Sequence, residues 1–325
     1  MFICFHLKMW FKEFIFRVIA VVWEFLVLCT LSVYYYTEAI LLTIAPSFLR
    51  NEKCLKGKRI VITGGAGGVG QELALRFGRL RAKVIIWDTN EMAIEALRVR
   101  FYNEGLELHT YIVDVTDRQS VYKHANLIKD EQGPVDILIN NAGVVAGETF
   151  LDIPDEMVEK TFQVNVISHY WTIKAFLGDM LKRRKGHIVT VGSLTGMLGT
   201  YKCTDYSATK YALHGLHESL VIELKTHGHD NINITLINPF FINTGMFAGC
   251  KPRTLPMLEP KDVARRIVTA IRREETFVTI PASYRFLIPI KYYVPAKLCW
   301  AVMYRVIQGP QSMMGFKSRQ DIRAA

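Results

Sequence analysis

Seven short runs rich in β-branched residues alternate with stretches of helical spacing between residues 57 and 282, and few architectures accept that alternation. The runs fall at residues 59–63, 83–87, 109–113, 135–139, 187–191, 232–237 and 277–280. Some have no polar side to turn toward water, as in Val84-Ile85-Ile86-Trp87. A strand that is apolar on both faces has to be covered on both faces, and the intervening helices supply the cover. The expectation is an α/β fold: a doubly wound parallel sheet of about seven strands, in one domain without linker or internal repeat. Half of the 325 residues are hydrophobic and 22% are charged, so there is enough apolar surface for such a core, and intrinsic disorder is excluded.

The turn after the first run narrows the fold further. Thr63-Gly64-Gly65-Ala66-Gly67-Gly68-Val69-Gly70 sits between a strand and a helix marked by Leu73, Leu75, Phe77 and Leu80. Glycines permit a tight turn and let a pyrophosphate approach the backbone. The helix N-terminus adds unpaired N–H groups and the positive end of its dipole. Asp88 closes the second run, eighteen residues beyond Gly70. A carboxylate there can accept from both ribose hydroxyls of a dinucleotide and would repel a 2′-phosphate; alternatively, it caps the following turn. No Lys or Arg lies in the loop. The pattern is that of a Rossmann-type dinucleotide site with NAD as cofactor, NADP being less favoured.

A second group of residues carries chemistry. Oxidising an alcohol requires a base for the hydroxyl proton, and a tyrosine with its ordinary pKa near ~10 is too weakly basic at neutral pH. Lys210 stands one helical turn beyond Tyr206, so its ammonium can stabilise the phenolate. Ser193 follows the fifth run, thirteen residues before Tyr206, and can hydrogen-bond a substrate oxygen. Each also has a plain structural reading: Ser193 as a polar strand end, Asn165 as a buried amide serving the backbone, Tyr206 and Lys210 as an ordinary helix pair.

Taken together and in order, these residues resemble the short-chain dehydrogenase/reductase family over roughly residues 57–280. Thr63-Gly64-x-x-x-Gly68-x-Gly70 is similar to its glycine motif, Asn140-Asn141-Ala142-Gly143 to its second motif, and Asn165, Ser193, Tyr206 and Lys210 to its active-site tetrad. The resemblance implies Tyr206 as general acid/base and Lys210 as the group that lowers its pKa and holds the nicotinamide ribose. It implies Ser193 on the substrate oxygen and Asn165 holding a water that connects Lys210 to solvent. Cofactor contacts are implied for Thr63, Gly64, Gly68, Val69, Gly70, Asp88, Asp114, Val115, Asn141, Ala142, Gly143, Tyr206, Lys210, Pro239, Ile242 and Thr244. The family often has Pro-Gly after the sixth strand; here Phe240 follows Pro239, which leaves the local backbone path open.

The two ends differ from the middle. Residues 1–60 hold eight basic and four acidic side chains, residues 251–325 fourteen and five, and the middle eighteen and twenty-one. A nucleic-acid binder carries its basic stripe on the folded domain, so none is expected; basic ends that are also apolar fit an anionic membrane. Residues 18–36 contain one charge, Glu24, and would span roughly 28 Å as a helix. Trp10 and Phe11 flank the run on one side, Tyr34, Tyr35 and Tyr36 on the other. A second apolar stretch ends at Pro46 and is followed by Arg50. Whether the anchor spans or lies in plane is left open by Glu24; a signal peptide would need a small-x-small cleavage site, which does not follow. Residues 284–307 are aromatic, apolar and basic but broken by Pro289 and Pro295, which suits a surface-lying segment or a subdomain packed on the core. The expected organisation is an anchor and linker over 1–56, the dehydrogenase domain over 57–282 and a membrane-surface extension over 283–325. The six cysteines show no C-x-x-C pair and no zinc spacing, so no metal is expected.

Several segments, including Thr244-Gly245-Met246-Phe247, resemble the membrane-associated retinol dehydrogenase and 17β-hydroxysteroid dehydrogenase branch of the family, the epidermal retinol dehydrogenase type above all. The resemblance implies a lipophilic small-molecule substrate held by Ser193, Phe240, Met246 and Phe247, with retinol first and a hydroxysteroid second. It also implies a cytosolic catalytic domain at the endoplasmic reticulum or a lipid droplet, contact with membrane lipid, and a homo-oligomer. An interaction protein without turnover would have lost Tyr206 or Lys210; both are present.

Overall fold

The computed structural model describes residues 2–44 and 52–316, in two units that divide at Glu52 and Lys53. The first is helix α1 (Phe2–Ile44). Within it Met9–Glu38 is long and apolar enough to cross a membrane, with mean hydropathy 2.2 and none of it buried. Its polar hydroxyls are closed onto the helix itself: Thr30, Ser32 and Thr37 donate to the carbonyls of Leu26, Leu28 and Val33 at 2.9, 2.8 and 2.7 Å. Such bonds spare these three hydroxyls from facing an apolar solvent unpaired. The helix extends beyond the expected run at both ends, while Pro46 and Arg50 fall outside the described residues.

The second unit is built on β1 (Arg59–Thr63), β2 (Lys83–Asp88), β3 (Leu108–Ile112), β4 (Ile137–Asn140), β5 (Gly186–Val191), β6 (Ile232–Pro239) and β7 (Phe277–Ile280). All pair in parallel, in the order β3-β2-β1-β4-β5-β6-β7. All but the edge strand β3 bury both faces in alternation. Ile60, Ile62 and Ile86 face one apolar cluster, shared with α2 (Gly68–Arg79), α3 (Glu91–Asn103) and α8 (Pro260–Arg272). Val61, Ile85 and Trp87 face the other, shared with α4 (Arg118–Gln132), α6 (Ser168–Lys182) and α7 (Thr204–Thr226). This is why the strands read as unbroken apolar runs.

The direction of winding reverses between β1 and β4, and a crevice opens at the carboxyl ends of strands at such a point. Between β4 and β5 lie α5 (Asp155–Phe162) and α6, joined by a π-turn over Gln163–Ile167. Beyond β7 lie α9 (Tyr284–Leu287), a 3₁₀ turn (Ile288–Tyr292), α10 (Ala296–Ala301), a π-turn (Val302–Ile307) and α11 (Gly309–Met313). They belong to the same compact unit as the sheet. That unit begins before residue 57, because the Lys53 amide already donates to Arg272 O at 2.8 Å.

Candidate active site

The crevice is stitched by two side chains. Thr63 Oγ1 accepts from the amides of Asn141 and Ala142 at 3.0 and 3.1 Å. Asn141 Nδ2 donates to the carbonyls of Thr63 and Gly64, both at 3.0 Å. The ends of β1 and β4 are thereby fixed to each other, and the glycine turn leaves them along one path. Gly64 takes φ +60°, and a Cβ there would stand 2.9 Å from Ala142 Cα. A Cβ on Gly70 would lie 2.1 Å from the Gly64 carbonyl oxygen, which no side chain shows without displacement. The N-cap of α2 is Gly67, and no side chain caps its first-turn amides. An uncapped helix start under a glycine turn is an anion cradle. Gly70→Ala is expected to destabilise the unit by about 1–3 kcal/mol and to remove nicotinamide cofactor binding. Fluorescence titration with NADH checks this, and wild-type affinity in the variant would refute the cradle.

The remaining cofactor candidates gather around this turn. Asp88 Oδ2 accepts from the Ala66 amide at 3.0 Å, and Oδ1 from Thr89 and Asn90 at 2.8 and 3.0 Å. Asp88 therefore caps the next turn and also holds the glycine loop, with further lone pairs on both oxygens. Asp114 Oδ1 accepts from the Thr116 amide and hydroxyl at 2.9 and 2.7 Å, and Val115 is buried beside it. Thr244 Cγ2 would lie 3.4 Å from a Cβ on Gly68, which brings the segment after β6 over the start of α2. Ile242 bridges to Leu258. Phe240 donates its amide to Ile280 O at 2.8 Å, and its φ is not positive, so the position needs no glycine.

The tetrad converges from three elements. Ser193 follows β5 and is buried; its Oγ accepts from the Thr195 amide at 3.2 Å. Tyr206 stands in the first turn of α7, and Lys210 one turn on, its Nζ 5.3 Å from the Tyr206 ring centroid. Lys210 Nζ donates to Val191 O at 2.9 Å. Asn165 sits in the π-turn: Oδ1 accepts from the Val144 amide at 2.8 Å, and Nδ2 donates to Val144 O at 2.9 Å and Thr209 Oγ1 at 3.1 Å. Its amide is thus committed to protein partners and clamps the loop after β4. A Cβ on Gly143 would lie 3.5 Å from Asn165 Oδ1 and 3.9 Å from Lys210 Nζ, so that loop runs against both.

Burial governs the electrostatics. It pushes the Tyr206 phenol above its ordinary value, with a hydrogen bond from Ser193 acting in the opposite direction. Burial also lowers Lys210, to about 8, so its ammonium is present at neutral pH and thins above that value. The pattern missed His169, on α6 in the turn after Asn165. It is fully buried, and burial together with Lys210 holds its pKa at about 3, so it is neutral.

Beside Ser193 lies an apolar cleft, open to solvent at its mouth. Phe240, Phe241 and Phe247 line one side. Rings run in contact from Tyr284 through these three to Tyr206, with centroids 5.7, 5.0, 5.3 and 5.9 Å apart. Pro239 lines the cleft, and Met246 packs against the apolar cluster around Phe247. The opposite wall comes from the segment after β7, through Tyr284, Ile288, Met303 and Ile307. Phe316 packs behind Phe247, 6.0 Å away, and its ring takes the space that a Cβ on Gly147 would need, 1.7 Å from it. The only signal for this wall in the sequence was its apolar composition.

The profile of the short chain dehydrogenase family matches residues 58–254, and the chain belongs to that family. It is an oxidoreductase. Among curated relatives, short-chain dehydrogenase/reductase family 16C member 6 of Bos taurus is 42% identical over 252 residues, covering 76% of this chain and 79% of the relative. Epidermal retinol dehydrogenase 2 of Homo sapiens is 38% identical over 270 residues, covering 82% and 86%. Among solved structures, a short chain dehydrogenase/reductase from Burkholderia phymatum in complex with NAD superposes with a TM-score of 0.68 at 24% identity, covering 74% of this chain and 95% of that one.

Proposed function

We propose that the chain is a membrane-anchored, NAD-dependent dehydrogenase that oxidises a lipophilic, retinol-like alcohol. One observation carries the reading: Ser193 lines a cleft walled by aromatic and aliphatic side chains, and the buried Tyr206, one turn before Lys210, packs its ring on Phe247 of that wall. The residues fit a dinucleotide, since the glycine turn leaves room no Cβ could share and the start of α2 has no side-chain cap. Gly64, Gly68 and Gly70 would cradle the pyrophosphate, Asp88 the adenosine ribose, and Lys210 the nicotinamide ribose. When bound, that cofactor supplies the hydride acceptor. The protein supplies the rest: Ser193 Oγ positions the substrate hydroxyl, Tyr206 Oη takes its proton, and the charge on Lys210 favours the phenolate. The apolar walls exclude water and select a long apolar body over a polar one.

The membrane reading rests on Met9–Glu38, which at ~1.5 Å per residue is roughly 45 Å long, beyond the ~30 Å hydrocarbon core. The surplus lets the helix tilt or shift, so Glu24 is not pinned at the midplane. We place the catalytic unit on the cytosolic side of the endoplasmic reticulum or a lipid droplet, on the resemblance to the retinol dehydrogenase branch.

The test is nicotinamide turnover by the full-length protein in liposomes, offering retinol, a 17β-hydroxysteroid and a long-chain alcohol, each with NAD and NADP. Retinol with NAD is the expected productive pair. Turnover of the steroid alone would keep the mechanism and replace the substrate. NADH binding without turnover of any pair would favour an interaction protein.

A further inference from the structure

The segment after β7 has two sides. Inward, Ile288, Met303 and Ile307 wall the cleft. Outward, Phe286, Leu287, Ile290, Tyr292, Tyr293, Leu298, Trp300, Tyr304 and Val306 stand in solvent, Tyr293 at 87% and Phe286 at 74% exposure. A water-soluble surface rarely gathers so many large apolar side chains in one short stretch. The charge is one-sided as well. Residues 281–316 contain Arg285, Lys291, Lys297 and Arg305 and no Asp or Glu. Arg285, Lys297 and Arg305 are exposed, whereas Lys291 is turned inward, with Nζ donating to Met197 O and to Tyr211 Oη. Aromatic rings, exposed aliphatics and unopposed cations on short, proline-punctuated helices suit the boundary between headgroups and acyl chains of an anionic bilayer. A second copy of the chain is a poor occupant, because it would bring an equally basic face without acids to meet it.

We propose that residues 284–307 lie in the interface of an anionic membrane, and that the substrate reaches the cleft from the lipid rather than from water. The docking half of this inference stands on the segment alone; the access half rests on the proposed function. One short segment carries both the cleft wall and the outward face, so a molecule dissolved among the acyl chains would reach Ser193 past Ile288, Met303 and Ile307.

The experiment uses the full-length protein in phosphatidylcholine vesicles, with and without phosphatidylserine, doped with a phospholipid bearing a diazirine on its acyl chain. After irradiation, labelled peptides are mapped by mass spectrometry. Label on residues 286–306 as well as on α1, rising several-fold with phosphatidylserine, is expected. Label confined to α1 overturns the proposal. So do cross-links between copies through this segment in place of lipid label. A Tyr293→Glu/Trp300→Glu variant adds the access readout, with NADH binding as the control for folding. It should lose most of the label and show a several-fold higher KM for membrane-dissolved alcohol at unchanged kcat. Lost label with an unchanged KM overturns access from the lipid. Retained label in a protein that turns over no alcohol supports docking and counts against the proposed function instead.

Discussion

Replacing Tyr206 by Phe is expected to lower turnover by about a thousand-fold while leaving NADH affinity and the folded state unchanged. The ring survives the substitution, and with it the edge contact to Phe247 at 5.9 Å and the position beneath the Lys210 ammonium. Only Oη is lost, and with it the influence of Ser193 that draws its pKa down. Removing one buried neutral hydrogen bond changes stability by about 1 kcal/mol, too little to unfold the unit. A rate measured at saturating cofactor, beside an NADH titration, separates chemistry from binding. A variant retaining a tenth of the wild-type rate would move the proton transfer away from Tyr206.

Lys210→Met is expected to abolish turnover and to make the protein more stable at neutral pH. Lys210 is buried, and burial lowers its pKa from 10.5 to about 8. The folded state therefore releases this proton near pH 8, whereas the unfolded chain keeps it until about 10.5. Between those values the unfolded state binds more protons, so stability rises with pH across that window. Below pH 8 the folded protein bears the whole cost of burying the charge, about 3 kcal/mol at 1.36 kcal/mol per pKa unit. Methionine removes that cost and gives up the charged bond to Val191 O, worth about 2 kcal/mol. A net gain of about 1 kcal/mol at pH 7, shrinking toward pH 10, should appear in denaturant titrations at the two pH values. A variant less stable than the wild type at pH 7 would show that the ammonium is compensated by more than one carbonyl.

Seven strands were legible because a parallel sheet buried on both faces demands apolar runs. The run at 277–280 matches β7 residue for residue, and 59–63 matches β1. The others shift by one or two positions; at β5, β4 and β6 a flanking Gly186, Asn140 or Pro239 continues the ladder without continuing the apolar pattern. The glycine turn was legible because its geometry admits no other residue type at Gly64 or Gly70. The π-turn around Asn165 was not, since Val164 and Val166 keep a helix-compatible pattern through it. The role of Asn165 toward Val144 was equally hidden, because it depends on where a loop from another strand comes to rest. The second wall of the cleft escaped for a related reason. Residues 284–307 announce that they are apolar and basic, but composition does not say which side chains turn inward.

That wall also sets an order of assembly. Every strand of the sheet and all four of Asn165, Ser193, Tyr206 and Lys210 are synthesised before residues 284–316, which close one side of the cleft. Until that segment docks, Phe240, Phe241 and Phe247 lack partners that cover them in the folded unit. An apolar trough left open in this way is a hazard for aggregation, so the last part of the chain guards what the earlier part has built.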